Sequence, residues 1–295
     1  MSSGFLLIDK PGGLTSHDVV AKVRKVLGTK KVGHAGTLDP MATGLLVVGF
    51  NQGTKLLTYV VGNDKTYFAT IRLGASTVTD DIEGDVTFTA EKATLKAITE
   101  ADLNSAMLTL TGEISQVPSS VSAIKIAGVR SYDRVRSGEE VTLPARQVTV
   151  AKFELLSMSI GEDYIDLEVS VDCSSGTYIR ALARDLGNLL GVGGHLTKLR
   201  RTRVGAFQVS DSNSLEQLQA GQFQPINLLS ASRMILPMLE ITYLESVDLR
   251  HGKQIQGEIT QETAVYHAKD LVAIVQQARV GWLKSSVVFE GDSID

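Results

Sequence analysis

Residues 33–44, GHAGTLDPMATG, place a single carboxylate, Asp39, in a loop of small residues between two short apolar segments. Pro40 disfavours the α region for Asp39, and the glycines around it let backbone or ligand approach closely. A rigid loop that carries one acid suits a nucleophile or a general base in a cleft. The local spacing by itself favours a plainer interpretation, an Asp-Pro turn whose side chain caps its own backbone. The rest of the chain favours the first interpretation, in which Asp39 is a functional acid in a cleft.

Length and composition predict two domains without a disulfide or a membrane segment. The chain has 295 residues, which is too long for one small core, and its formal net charge is −4. Its single cysteine, Cys173, lies in an alternating apolar segment and is expected to be a buried structural thiol. The amino terminus has no charged-then-apolar signal, and no apolar run approaches membrane length. We therefore expect a cytoplasmic protein.

The charge distribution is more informative than the net charge. Binding to nucleic acid needs a local basic face, and the amino-terminal 31 residues and the segment around residue 200 each supply a basic cluster. Either cluster alone is more commonly a solvated face. The acidic run at residues 80–85 lacks the glycine and glutamate positions of a calcium loop, so we expect a solvated acidic turn there.

Apolar periodicity predicts a mixed α/β chain with paired strands that are consistent with an antiparallel sheet. Residues 118–146 are irregular and rich in Ser, Gly and Arg, which predicts a surface insertion, and residues 205–235 resemble a polar connector with a short helix. The predicted elements are a strand at Phe5–Asp9, a helix with Ser16 as N-cap and Val19, Val23, Val26 and Leu27 on its apolar face, a helix at Glu100–Leu110, paired strands at Val148–Met158 and Tyr164–Cys173, a helix from Thr177 to about Leu190, a strand at His195–Val204 and a small β-rich domain from Leu236.

Common cofactor and metal motifs are absent from the sequence. The glycines near residues 49 and 191 have the wrong context for a phosphate-binding loop or a dinucleotide fingerprint. No serine stands in a nucleophile elbow, and the histidines lack metal-ligand spacing. We therefore expect neither a cofactor nor a metal.

Two further residues are candidates for the site. Arg180 lies in the first turns of its predicted helix, where a cation opposes the helix dipole, and Arg184 one turn later adds a like charge. We expect a compensating anion for Arg180, with Asp39 as a plausible partner and an ordinary surface ion pair as the alternative. Arg184 is expected to point further toward solvent. Tyr67 lies on an alternating strand, either as a core-edge tyrosine with a wet hydroxyl or as a functional side chain.

Five motifs in order resemble the TruB family of bacterial tRNA pseudouridine-55 synthases. They are LIDKPGGLTSHD at 7–18, the segment 33–46, KTY at 65–67, GTYIR at 176–180 and HLTKLRRT at 195–202. The match covers about residues 4–210. The end of the chain, with LRHG at 249–252 and VGWLK at 280–284, is similar to a short PUA-like RNA-binding domain.

The resemblance implies a fold, a domain organisation and a reaction. The fold is α+β, with a mixed, largely antiparallel central sheet and flanking helices. The same resemblance implies a catalytic pseudouridine synthase domain at 1–232, with residues 118–146 as a candidate RNA-contacting insertion, and a PUA-like RNA-binding domain at 233–295. A uridine in the T-loop of tRNA, at position 55, would be flipped from the stack and isomerised to pseudouridine without a cofactor. The protein could also assist tRNA folding. The expected partner is the T-stem-loop of tRNA, with no membrane, no obligatory protein partner and a monomeric state.

The resemblance also implies residue roles. Asp39 corresponds to the essential catalytic acid, attacking either the sugar or the uracil ring, and Arg180 to its ion-pair partner. Tyr67 corresponds to the aromatic that stacks on the flipped base. The supporting and RNA-contacting residues are Leu199 lining the pocket, His34 occupying the space vacated in the RNA loop, Lys10 and Tyr178 supporting the pocket, and Lys198, Arg200 and Arg201 contacting phosphates.

Two other classes of function stay open at this stage. One is a tRNA-folding chaperone in which catalysis is incidental, although the intact set of Asp39, Tyr67 and Arg180 argues against a passive role. The other is a catalytic subunit of a guide-RNA-dependent complex, which would predict basic terminal extensions that this sequence lacks.

Overall fold

The computed structural model describes residues 3–119, 125–126, 129–130 and 143–290. Most of the predicted insertion at 118–146 therefore lies outside the described residues. In chain order the strands are β1 (Gly4–Lys10), β2 (Val32–Ala35), β3 (Thr43–Phe50), β4 (Lys65–Leu73), β5 (Ala75–Thr77), β6 (Val86–Thr89), β7 (Gly112–Gln116), β8 (Lys125–Ile126), β9 (Val129–Arg130), β10 (Arg146–Ile160), β11 (Ile165–Cys173), β12 (Gly194–Val204), β13 (Phe207–Gln208), β14 (Ile226–Asn227), β15 (Met238–Glu240), β16 (Ile255–Gln256), β17 (Thr263–His267), β18 (Asp270–Arg279) and β19 (Trp282–Val288).

The helices are fewer and mostly short. They are α1 (Ser16–Leu27), α2 (Leu57–Val61), α3 (Lys92–Lys96), α4 (Glu100–Thr109), α5 (Ile179–Leu189), α6 (Leu215–Gln219), α7 (Leu228–Arg233) and α8 (Tyr243–Arg250), with 3-10 turns at Asn51–Leu56 and Val209–Asp211. The predicted helices at 16, 100 and 177 and the paired strands at 148–173 are confirmed. The connector at 205–235 is more ordered than predicted, because it contains α6 and α7.

The chain forms two compact units, of which the first joins Met1–Asn63 with Arg203–Asp295. In this unit β1 is antiparallel to β14 and β3, and β2 is antiparallel to β3. The carboxy-terminal strands form a sheet in the order β15-β17-β18-β19-β16, in which β15 and β17 are parallel and the remaining pairs antiparallel.

One apolar core of the first unit includes side chains from both ends of the sequence. Phe5 of β1 packs edge-on against Phe207, with ring centroids 5.8 Å apart, and Phe289 belongs to the same buried cluster. The division at residues 232 and 233 stays a prediction, and the residues on its two sides share this core.

The second unit, Asp64–Thr202, is built on the antiparallel order β4-β11-β10-β7. Alternate residues of β4 point to opposite faces. Tyr67, Ala69, Ile71 and Leu73 are buried. On the other face Thr70 donates a hydrogen bond to Glu168, and Arg72 binds Asp166 through two nitrogens, each at 2.7 Å.

The start of α1 differs from the prediction by one residue. Thr15, not Ser16, is the N-cap, and it forms a capping box in which its side chain accepts from the Asp18 N–H while Asp18 accepts from the Thr15 N–H. The physical reason is that the Ser16 hydroxyl is occupied elsewhere. It exchanges hydrogen bonds with Leu38, the residue before Asp39.

Candidate functional site

The loop that carries Asp39 has a fixed backbone. The Leu38 N–H donates to Ser16 Oγ at 2.9 Å, and Ser16 Oγ donates back to the Leu38 carbonyl at 3.2 Å. On the other side of Asp39, the Pro40 carbonyl accepts from the Gly13 N–H at 2.9 Å. Asp39 itself is half-buried. Both of its neighbours are thus tied to the segment that leads into α1, so the direction of its carboxylate is set by backbone contacts on both sides.

Lys10 lies beneath this loop and is fully buried. Its ammonium donates to the carbonyls of Pro11 at 3.0 Å, Leu14 at 2.6 Å and Pro40 at 3.2 Å. A buried cation with carbonyl partners is compensated by their dipoles, and in return it holds those carbonyls together. Lys10 therefore joins the turn after β1 to the loop after β2.

His34 lies on β2, close to the amino end of α1. Its ring meets the ring of His17 edge-on, with centroids 5.7 Å apart. Both residues belong to the same unit as Asp39. The predicted role of His34 in an RNA loop stays a prediction.

The second unit carries Tyr67, Leu199 and Arg180. Tyr67 on β4 is 7% exposed and Leu199 on β12 is 7% exposed. Arg180 is in the first turn of α5, whose apolar face buries Leu182 and Leu186. Tyr178, the N-cap of that helix, is half-buried.

The structure gives Arg180 an anion that the sequence interpretation did not name. Its Nη1 lies 3.3 Å from Asp81 Oδ2, and the same nitrogen donates to the Thr79 carbonyl at 2.9 Å. The two side chains are only 6% and 4% exposed. Asp81 Oδ1 in turn accepts from Thr79 Oγ1 and from the Glu83 N–H. The pairing of Arg180 with Asp39 stays a prediction.

The acidic run at 80–85 is therefore only partly the solvated turn that we expected, because Glu83 and Asp85 are exposed but the first two acids are not. Asp80 and Asp81 are 7% and 3% exposed, because both are directed at the cations of α5. Arg184 Nη1 lies 3.2 Å from Asp80 Oδ2, and Arg184 Nη2 donates to the Val117 carbonyl. Burial raises the pKa of the Asp80 carboxyl, and Arg184 opposes that rise. Arg184 is half-buried, and its side chain is 21% exposed against 6% for Arg180, so it does point further toward solvent than Arg180. The spacing of 180 and 184, one helical turn, was the available signal for two adjacent carboxylates.

The three predicted phosphate contacts do not form one surface. Alternation along β12 puts Lys198 and Arg200 on one face and Leu199 and Arg201 on the other. Lys198 is exposed and Arg200 half-buried. Arg201 is 1% exposed, so its side chain is not available to a phosphate in this conformation, and its phosphate contact stays a prediction. Burial lowers the pKa of the Lys65 ammonium to about 8, and the positive charge of Arg201 adds to that lowering.

Cys173 is confirmed as a buried thiol. It is 2% exposed, and burial raises its pKa to about 11, which makes the thiolate scarce at neutral pH. In the described part of the chain, no cluster of His, Cys, Asp or Glu side chains is arranged to hold a metal ion. Nor does any helix there have the length and apolarity to cross a bilayer.

Solved structures define the class of fold. The chain resembles a chain in the structure of an H/ACA ribonucleoprotein bound to a substrate RNA containing 2′-deoxyuridine, with a TM-score of 0.70 and 24% identity over 98% of this chain and 86% of the other. A chain in a Cbf5-Nop10-Gar1 complex matches with a TM-score of 0.68 and 26% identity, over 98% and 84%. The protein has the α+β pseudouridine synthase fold, as predicted.

The sequence comparisons give the family. The model of the TruB family pseudouridylate synthase N-terminal domain matches residues 24–179, and that of the tRNA pseudouridylate synthase B C-terminal domain matches residues 180–241. A tRNA pseudouridine synthase B of Leifsonia xyli subsp. xyli is 58% identical, over 86% of this chain and 84% of its own. One of Arthrobacter sp. (strain FB24) is 54% identical, over 98% and 97%. The chain belongs to the TruB family of pseudouridylate synthases.

Proposed function

We propose that this protein converts a uridine in the T-loop of tRNA, at position 55, to pseudouridine. Relatives more than 50% identical over most of their length are named tRNA pseudouridine synthase B. The observation that carries the proposal is the Asp39 loop, in which Ser16, Lys10 and Gly13 fix the backbone on both sides of one carboxylate. A preorganised acid is what a reaction without an added cofactor requires from the protein.

The reaction is an isomerisation in which atoms balance within the nucleotide. The bond between N1 of uracil and C1′ of ribose breaks, and a bond between C5 and C1′ forms. The proton on C5 is lost, and N1 gains one. Asp39 acts either by attacking the ribose or by attacking the uracil ring, and in both routes it is released unchanged.

The remaining residues bind and orient the flipped nucleotide. Tyr67 stacks on the base, which is worth about 1–3 kcal/mol per stacked base, and Leu199 lines the pocket. Arg180 keeps the carboxylate of Asp39 charged and oriented, while Asp81 compensates Arg180 itself. Extraction of a stacked base costs a few kcal/mol.

Support from the remaining residues is less direct. Lys10 supports the Asp39 loop through the Pro40 carbonyl, and Tyr178 supports the pocket from the start of α5. His34 fills the space left by the flipped base, and Lys198 and Arg200 contact phosphates.

We propose a monomer that acts in the cytoplasm on tRNA without an obligatory protein partner. The structural neighbours come from complexes with partner proteins and RNA, but they are only 24% and 26% identical to this chain. The named bacterial relatives share more than twice that identity, which favours tRNA over a guide-dependent target. A role in tRNA folding would accompany catalysis.

Purified protein and an unmodified tRNA transcript test this function. Proton release from C5 of uridine and mass spectrometry of the product should both show conversion by the wild type. Asp39→Asn should bind tRNA but form no pseudouridine, because a loss of about 5 kcal/mol of transition-state stabilisation slows turnover more than a thousandfold. Asp211→Asn, an exposed acid of the same unit, should leave the rate unchanged. If Asp39→Asn releases the C5 proton at a rate within tenfold of the wild-type rate, the proposal is contradicted.

A further inference from the structure

The start of α5 is held by an interaction that neither the sequence motifs nor the proposed mechanism accounts for. Gln116, the last residue of β7, is 2% exposed. Its Oε1 accepts from the Tyr178 N–H at 2.8 Å, and its Nε2 donates to the Tyr178 carbonyl at 3.1 Å. One amide side chain therefore satisfies both main-chain polar groups of the residue that begins the helix.

This amide contacts the N-cap residue itself, as the reciprocal half of a capping box does, and does not replace the N-cap side chain. Tyr178 is the N-cap of α5 in extended conformation, and its own side chain makes no capping bond. The Tyr178 carbonyl also accepts the first helical bond, from Leu182 at 3.1 Å. Gln116 thus acts on the first carbonyl of the helix, one peptide before Ile179 and two residues before Arg180.

The apolar packing of α5 does not fix this position. Hydrophobic contacts of Leu182 and Leu186 hold the helix against the unit, but such contacts are non-directional. Paired hydrogen bonds from one planar amide fix both the distance and the orientation of the peptide that they contact. The next residue of the same segment adds a second tie, because the Val117 carbonyl accepts from Arg184 Nη2 at 2.7 Å.

We propose that Gln116 is a positioning residue for the reaction, which sets the first turn of α5 and thereby the placement of Tyr178 and Arg180. This inference rests on the proposed function. Gln116 touches no substrate atom, so its loss lowers the rate of the chemical step and leaves the affinity for tRNA unchanged. Displacement of a positioned group by about 1 Å can cost about a hundredfold in rate.

Gln116→Met removes both hydrogen bonds at similar volume. We expect the single-turnover rate at saturating tRNA to fall about tenfold to a hundredfold, while the dissociation constant for tRNA changes less than threefold. Gln277→Met is the control for the loss of a side-chain amide that bonds to the main chain at an exposed position. Gln277 holds main-chain groups of Ile259 and Arg279 in the carboxy-terminal sheet with a similar amide, and the saturated rate of its variant should equal that of the wild type.

Gln116→Glu gives a readout that does not depend on comparing the stabilities of variants. A protonated carboxyl can accept from the Tyr178 N–H and donate to its carbonyl, whereas a carboxylate can only accept and repels the carbonyl. Burial raises the pKa of such a carboxyl above its ordinary value of about 4.3. The rate of Gln116→Glu relative to the wild type should therefore fall as pH rises from about 5 to 8.5, while the relative rate of Gln116→Met stays flat.

The outcomes separate the inference from the function on which it rests. A wild type that forms no pseudouridine on the transcript would refute the proposed function and this inference with it. An active wild type, together with a folded Gln116→Met whose saturated rate is within twofold of it, would refute the inference alone. So would a relative rate of Gln116→Glu that does not change with pH.

Discussion

Asp81→Asn breaks a buried ion pair and leaves the shape of the site almost unchanged. The Arg180 and Asp81 groups lie 3.3 Å apart and are 6% and 4% exposed. At an effective dielectric of about 20, Coulomb's law gives roughly 5 kcal/mol at that separation. Removal of one partner from a buried pair costs about 3–5 kcal/mol in measured cases, because the other charge stays buried without compensation. We expect the free energy of unfolding to fall by about that amount.

The asparagine retains part of the original geometry. Its carbonyl can still accept from the Glu83 N–H, as Asp81 Oδ1 does at 3.0 Å, and Arg180 keeps its bond to the Thr79 carbonyl. The loss is therefore assigned to charge rather than to unfolding of the turn. Urea unfolding followed by circular dichroism measures it. Under the proposed function the single-turnover rate should fall as well, because Arg180 loses the charged contact that helps to hold it.

Two further variants make the test specific. Asp85→Asn removes the same charge from an exposed position of the same turn and should change stability by less than about 0.5 kcal/mol. Arg180→Met combined with Asp81→Asn should cost less than the sum of the single changes, because neither charge is then left alone. If Asp81→Asn is as stable as Asp85→Asn, the pair does not hold α5 and our account of the acidic turn is wrong.

Three shorter predictions follow from the second unit. Tyr67→Phe should retain tRNA binding, and Tyr67→Leu should weaken it by about 1–3 kcal/mol. If the Phe and Leu variants bind tRNA with equal affinity, Tyr67 does not stack on the base. Arg200→Ala should make the slope of log affinity against log salt shallower by about 0.7–0.9, whereas Arg201→Ala should lower stability and leave the slope unchanged; the reverse pattern would contradict the burial of Arg201. Burial lowers the folded-state pKa of Lys65 to about 8, below its unfolded value of about 10.5, so the folded state binds fewer protons in that window and stability rises with pH there. In urea titrations the stability of the wild type relative to Lys65→Met should therefore rise between about pH 8 and 10.5, and a constant difference would contradict the lowered pKa.

The sequence was most predictive where the structure depends on local patterns. The helix at α5 and the strand pair β10–β11 follow from apolar spacing, and the Asp39 loop stands out because glycine and proline restrict or relax the backbone locally. Each of these features needs no knowledge of distant residues.

The sequence was least predictive where two distant segments satisfy each other. The acidic run and the arginines of α5 are about a hundred positions apart in the chain, as the 101-residue separation of Thr79 and Arg180 shows. Each looks solvated when considered alone, and only their combination allows burial. The prediction of Ser16 as the N-cap of α1 was wrong for a similar reason, because the Ser16 side chain bonds to Leu38, which lies 22 residues further along the chain.

Arg201 shows the limit of charge clusters as a guide. Three cations in four positions suggested one basic surface, but the two-residue period of a strand divides them between opposite faces. The sequence does contain that period. What it does not contain is which face is covered.

The order of the two units along the chain has a consequence for synthesis on the ribosome. Residues 64–202 are contiguous, whereas the unit that carries Asp39 needs Phe207, Phe289 and the strands near the carboxy terminus for its core. At a synthesis rate of about 5–20 residues per second, the second unit has several seconds to fold before the last of those strands is translated. During that interval the face of the amino-terminal strands that carries Phe5 and Leu7 lacks its carboxy-terminal partners, whereas α1 can already cover the opposite face. The catalytic loop, encoded early in the message, is thus among the last parts of the molecule to acquire its final support, and a nascent chain released too soon would carry Asp39 on an incomplete core.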